Sequence, residues 1–283
     1  MRSVKIAKAE KLGLCFGVRR GIKLLTEAAQ KYGEIETLGP VAHNRLLVER
    51  LGNLGVKPIT RVDQARGRIL AITTHGTSPA ILSEIKARHV RIIDTTCPIV
   101  RKAQNAGKEL AEAGFDVIIF GDAKHSEVKG LLGWTGEKGI AALHRQQISK
   151  SGGSLSRLGI ISQTTQNQSA FIHFAAQLME TVGSNIEEIR FINTLCKVVQ
   201  GQQEAALKLA RQSQLVIVIG GTNSANTRHL VEICAPVVET HLVERADEVD
   251  TSWLADKHRV GITAGASTPD ESVEELVHKL SSL

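Results

Sequence analysis

Three observations on the sequence predict an α/β fold of three similar units, each with a small, mainly parallel sheet. Short β-branched apolar runs alternate with helical segments along the whole chain. Cys15, Cys97 and Cys196 stand 82 and 99 residues apart, about one third each of a 283-residue chain. Each of the three is followed directly by a helical segment, so each unit offers one cysteine at a strand-to-helix corner. The expected domains are 1–97, 98–195 and 196–283, with the active site at the centre of the three.

The strands are expected at 35–38, 69–73, 91–94, 117–120, 158–161, 189–192, 215–219 and 260–263. Their compact apolar text is that of strands covered on both faces. A helix is expected over 98–113. It opens on Pro98 at an N1-like position, repeats Val100, Ala103, Ala106 and Leu110 at helical spacing, and stops at Gly114. Segments 169–182, 203–211 and 270–280 read as further helices. The Ser/Gly-rich stretch 149–156 reads as a surface loop. Cys97 and Cys196 close strands with related text, Ile93-Asp94-Thr95-Thr96-Cys97 and Ile192-Asn193-Thr194-Leu195-Cys196.

Composition excludes several function classes. Apolar residues make up 42% and charged residues 23%, enough for a packed core. No run approaches the roughly 18 consecutive apolar residues of a membrane span. The opening residues lack an apolar signal core, so a cytoplasmic location is expected, where disulfides are rare. The net charge of +6 is spread along the chain, and aromatics are only 3%. Few base-stacking platforms are available, and a small anionic substrate fits this balance better than a nucleic acid. No heptad or long apolar stripe demands a partner chain, so a monomer is expected.

Ligands of open parallel sheets bind beyond the carboxyl ends of the strands. The corners there carry His43-Asn44, His75, His125-Ser126-Glu127, Thr164, Ser224-Ala225-Asn226 and Ser267. Hydroxyl and amide donors at helix starts suit phosphate oxygens, and six such corners would form a diphosphate-sized cradle. Three cysteines from separate corners suit a metal centre with one position open. An iron–sulfur cluster and a zinc site are both compatible with the residues alone. Cys234, within the helical run 229–234, reads as core. His89, His144, His173, His229, His241, His258 and His278 carry no functional claim.

Eight motifs, in order from Cys15 to Pro269, resemble the 4-hydroxy-3-methylbut-2-enyl diphosphate reductases, iron–sulfur enzymes of the non-mevalonate isoprenoid pathway. They are Leu12–Val18, His43-Asn44, Thr74-His75-Gly76, Asp94–Pro98, His125–Gly130, Ser162–Thr165, Asn223–Asn226 and Thr263–Pro269. The resemblance implies a trefoil of three α/β domains around one central 4Fe–4S cluster, found as 3Fe–4S after loss of its apical iron. It implies Cys15, Cys97 and Cys196 as cluster ligands. It implies a diphosphate held by His43, His75, His125, Ser224, Asn226 and Ser267, with Ala225 where the family has a second Ser. It places Glu127 as the proton source, with His125 beside it and Thr164 at the substrate hydroxyl. Electrons would come from a ferredoxin or flavodoxin type donor. A diphosphate near Glu127 is expected to raise its pKa. After Cys196 the family carries Thr and then Arg-Gln before the Glu. Here Gly201 and Gln202 stand in that stretch, and they are expected to weaken the helix start and remove a positive charge. A zinc-dependent hydrolase and a diphosphate-binding protein without turnover are the competing readings.

Overall fold

The computed structural model describes residues 4–148, 156–182 and 186–282. Most of the expected loop at 149–156 lies outside them. The chain forms two compact units. One comprises Met1–Arg19, Ala42–Asn53 and Lys197–Leu283, and the other Arg20–Val41 and Leu54–Cys196. No helix among the described residues is long and apolar enough to cross a membrane.

Twelve strands are described: β1 (Lys5–Lys8), β2 (Ile35–Leu38), β3 (Val56–Ile59), β4 (Ile69–Ile72), β5 (Arg91–Asp94), β6 (Asp116–Phe120), β7 (Gly139–Ala142), β8 (Arg157–Ser162), β9 (Glu188–Phe191), β10 (Leu215–Ile219), β11 (Thr240–Val243) and β12 (Arg259–Ala264). The α-helices between them are α1 (Phe16–Tyr32), α2 (Arg45–Asn53), α3 (Pro79–Ala87), α4 (Pro98–Glu112), α5 (Ser126–Thr135), α6 (Gln168–Val182), α7 (Lys197–Ala210), α8 (Ala225–Cys234) and α9 (Asp270–Ser281).

The strands build three parallel four-stranded sheets with one topology. Their orders are β3-β2-β4-β5, β7-β6-β8-β9 and β11-β10-β12-β1. The second unit holds the first two sheets, and the first unit holds the third. The fourth place of the last sheet is filled by the start of the chain, with Lys5 to Lys8 pairing Arg259 to Ile262 in register. This differs from the expected first domain, because the first strand belongs with the last third of the sequence. A free edge on β12 would leave main-chain groups unpaired, and β1 closes it.

The expected strands are present. The four missed ones, β1, β3, β7 and β11, are all edge strands. Edge strands are half-covered, so Lys5 and Lys8, or Lys57 and Pro58, interrupt the apolar text that marks a buried strand. The edge strands β5 and β9 are themselves largely exposed rather than covered on both faces. Helix α7 begins at Lys197, directly after Cys196 as expected, and joins the helical segment expected from 203 by running through Gly201 without interruption.

The cores follow from strand alternation. In β6, Ile118 and Phe120 face Phe171, Phe174 and Leu178 of α6. Val117 and Ile119 face the other way, toward Ala103 and Leu110 of α4 and Leu131 of α5. In β10, Leu215, Ile217 and Ile219 pack on Val273, Leu276 and Leu280 of α9, while Val216 and Val218 pack on α7 and α8. Leu70 and Ile72 of β4 pack on Ile85 of α3. Ile217 is fully buried, so Ile217→Ala is expected to cost about 3 kcal/mol in urea unfolding. Ile6→Ala on the half-covered edge is expected to cost about 1 kcal/mol by the same measurement.

Candidate active site

All six expected ligand corners follow the central strands. His43 comes after β2, His75 after β4, His125 after β6, Thr164 after β8, Ser224 after β10 and Ser267 after β12. The three cysteines follow the fourth strand of each sheet, β1, β5 and β9. There each one prolongs the ladder in the same way. Its main-chain N–H donates to a carbonyl two residues beyond the end of the neighbouring strand: Cys15 to Ala266 at 2.9 Å, Cys97 to Thr74 at 3.0 Å and Cys196 to Thr164 at 2.9 Å. All three thiols are half-buried.

Two of these corners share a clamp. Asp94 Oδ1 accepts the N–H of Thr96 at 2.9 Å, and Asn193 Oδ1 accepts that of Leu195 at 3.0 Å. Both are Asx turns just ahead of the cysteine. The Thr95 hydroxyl donates to the Ile72 carbonyl at 2.6 Å, and the Thr194 hydroxyl to that of Ser162 at 2.7 Å. The related text before Cys97 and Cys196 is therefore one structural device used twice. The clamping roles of Asp94, Thr95, Asn193 and Thr194 were not read from the sequence. Only their repetition was visible there.

Cys97 is the N-cap of α4, behind Pro98 at its first position. The main-chain N–H groups of Ile99 and Val100 favour its thiolate, although the sulfur makes no capping hydrogen bond. Burial outweighs them and raises its pKa, helped by the nearby negative groups Cys196 and Glu127. Cys97, Cys196 and Glu127 thus share one electrostatic environment. Cys234 is fully buried against α7, and burial pushes its thiol to about 11. It is core, as expected.

Glu127 lies in the first turn of α5 and is 2% exposed. Its carboxylate accepts the Thr164 N–H at 2.6 Å and the Thr164 hydroxyl at 3.1 Å. Burial raises its pKa to about 7 against the opposing effect of these bonds. The expected direction is present, and burial within the fold alone produces it. His125 caps α5, its Nδ1 accepting the N–H of Glu127 at 3.2 Å. That bond assigns the proton of the neutral ring to Nε2. The His75 ring meets His125 edge-on, 5.5 Å between centroids.

In the first unit, Ser224 caps α8 and accepts the N–H of Thr227. Asn226 is 4% exposed, and both atoms of its amide are buried without a partner among the described residues. The Ser267 hydroxyl is in the same condition. Ala225, also buried, contributes only main-chain groups at this helix start. Burial, and then the charge of Arg228, lowers the pKa of His43. These are donors suited to an oxyanion at a helix N-terminus.

A family model described as LytB protein matches residues 6–281. The chain belongs to the LytB family. A LytB relative from Dehalococcoides mccartyi, 4-hydroxy-3-methylbut-2-enyl diphosphate reductase, is 43% identical over 99% of both chains. A reductase of the same name from Pelobacter propionicus is 35% identical over 98% of both. A solved structure of (E)-4-hydroxy-3-methyl-but-2-enyl diphosphate reductase, the terminal enzyme of the non-mevalonate pathway, has TM-score 0.72 at 35% identity. It covers 99% of this chain and 100% of its own. The reductase from Plasmodium falciparum shares the fold, with TM-score 0.91 at 24% identity over 98% of this chain and 87% of its own.

The buried acid makes the stability of this LytB chain pH-dependent. In the unfolded chain Glu127 ionises near its ordinary value of 4.5, whereas in the folded one it holds its proton up to about 7. Folding therefore takes up a proton between these values. Stability is expected to fall as pH rises across that window, by about 3 kcal/mol at most for this one group. Urea unfolding of Glu127→Gln against wild type from pH 4.5 to 8 is expected to show the decline flattened in the variant.

Proposed function

We infer that this chain reduces 4-hydroxy-3-methylbut-2-enyl diphosphate to isopentenyl and dimethylallyl diphosphates, the last step of the non-mevalonate isoprenoid pathway. The substrate hydroxyl leaves as water, and two electrons and two protons are consumed. The observation that carries the reading is the buried pair Glu127 and Thr164 beside Cys97 and Cys196. It stands in a chain that matches reductases of that name over its full length.

The donors present suit an iron–sulfur cluster. Cys15, Cys97 and Cys196 follow equivalent strands, each half-buried, and Cys234 is held apart in the core. We assign the three as ligands of one 4Fe–4S cluster per chain, which becomes 3Fe–4S when its apical iron is lost. When bound, it supplies electrons and an iron open to act as a Lewis acid on the substrate hydroxyl. The donor of those electrons is read as a ferredoxin or flavodoxin type protein.

Glu127 holds a proton near neutral pH, the state a general acid requires. Its Oε1 is engaged by a main-chain N–H, so the proton of the neutral acid belongs on Oε2. In that state Oε2 donates to the Thr164 hydroxyl, whereas the ionised carboxylate accepts from it. Thr164 then relays that proton to the departing hydroxyl, or orients the hydroxyl to receive it. His125, with its proton assigned to Nε2, donates to a phosphate oxygen, and His75 and His43 do likewise. Ser224, Asn226 and Ser267 supply the donors at α8, and Ala225 offers its main-chain N–H.

Three outcomes test this. Protein purified without oxygen is expected to be brown, with about four iron and four sulfide per chain, and Cys97→Ser is expected to lose both. A colourless protein that cannot be reconstituted with iron and sulfide would overturn the cluster. Glu127→Gln is expected to lower turnover by about 10²- to 10⁴-fold while iron content is kept. Ala225→Ser, by restoring a hydroxyl at the phosphate cradle, is expected to lower KM about fivefold.

A further inference from the structure

The corner at Cys15 lacks the clamp found at the other two. At the position of Thr95 and Thr194, two residues before the cysteine, stands Gly13. Its φ is +74°, and a Cβ there would press on the Thr268 carbonyl and the Asp270 carboxylate. A side chain at residue 13 would be strained, and glycine offers none to tie this corner down from within. The tie comes instead from α7. Gln202, 3% exposed, donates its amide to the Gly13 carbonyl at 2.8 Å. Its Oε1 is buried without a partner among the described residues. At the preceding residue, a Cβ on Gly201 would meet the side chain of Lys11 at 3.1 to 3.2 Å.

We infer that Gln202 is a positioning residue for Cys15: it clamps the loop 9–14 from α7, doing for this corner what the threonine hydroxyls do for Cys97 and Cys196. Beside the expectation that Gly201 and Gln202 weaken the helix start and remove a positive charge, Gln202 thus has a specific use. A buried amide with an orphaned oxygen is costly. Its bond to Gly13 holds the carbonyl that an αL glycine would otherwise leave free to turn. The consequence for the cluster rests on the reading of Cys15 as a ligand. The clamp itself does not.

The test is cysteine-by-cysteine alkylation of the full-length, iron-stripped protein with iodoacetamide, read by peptide mass spectrometry. Wild type is compared with Gln202→Leu, which fills similar space without a donor, and Gln202→Arg, which still donates. Cys15 is expected to react about tenfold faster in the Leu variant, with Cys97, Cys196 and Cys234 within twofold of wild type and Arg restoring the slow rate. Unchanged Cys15 reactivity, or all four cysteines speeding up together, would overturn the inference. In cluster-loaded protein the Leu variant is expected to release iron faster to a ferrous chelator. Iron analysis of Cys15→Ser separates the two readings. Full iron there, alongside selective exposure of Cys15 in the Leu variant, sinks the ligand assignment and keeps the clamp. Lost iron there with no change in the Leu variant does the reverse.

Discussion

The structure depends on one repeated hydrogen bond, from the N–H of a cysteine to a carbonyl beyond the end of the adjacent strand. In a parallel ladder the bonds are evenly spaced, so a ladder can be prolonged past the last strand residue without a change of geometry. Cys15, Cys97 and Cys196 use this to stay in line with their sheets. Immediately afterwards the chain turns into α1, α4 and α7. The cysteine is thus held by the sheet on one side and by a helix start on the other. The main chain that carries each thiol is fixed on both sides, as a preorganised centre requires.

Thr164 shows how closely this constraint is joined to the acid. Its carbonyl accepts the N–H of Cys196, while its own N–H and hydroxyl both go to Glu127. One residue therefore sets the height of a thiol and the orientation of a carboxyl. The carboxyl would ionise at ordinary pH if it were wet. Burial opposes this more strongly than two hydrogen bonds favour it, so the acid keeps its proton near neutrality. The proton is held by the packing around α5, before any substrate contributes.

What was legible in the sequence was what burial writes into it. The central strands β4, β6, β8, β10 and β12 are continuous apolar runs, and Pro98 with Gly114 brackets α4. The edge strands β1, β3, β7 and β11 were not legible, because half-covered strands admit Lys, Pro, Gly and Thr and lose their signature. The residues with distinctive chemistry, the cysteines and histidines, stood out by spacing and by resemblance to a family. The groups that hold them did not. Asp94 and Asn193 appeared as related text without a purpose, and Gln202 appeared as a defect. Its partner Gly13 is 189 residues away, a distance at which no local pattern operates. The place of β1 beside β12 was hidden for the same reason.

The start of α8 turns on a comparable balance. The amide of Asn226 and the hydroxyl of Ser267 are buried with no partner among the described residues. Leaving such groups unsatisfied costs on the order of 1 to 3 kcal/mol each. An apolar ligand would leave that cost in place, whereas an oxyanion would accept from the Ser267 hydroxyl and the Asn226 Nδ2–H, leaving only Asn226 Oδ1 unmet, and would be favoured by the positive end of the helix dipole. The site is therefore selective by the demand it leaves unmet as much as by the bonds it offers. Ala225 sits in the middle of this arrangement and makes no side-chain demand. What this helix start offers at residue 225 is therefore a main-chain N–H alone, beside the buried amide of Asn226 and, in the same unit, the buried hydroxyl of Ser267.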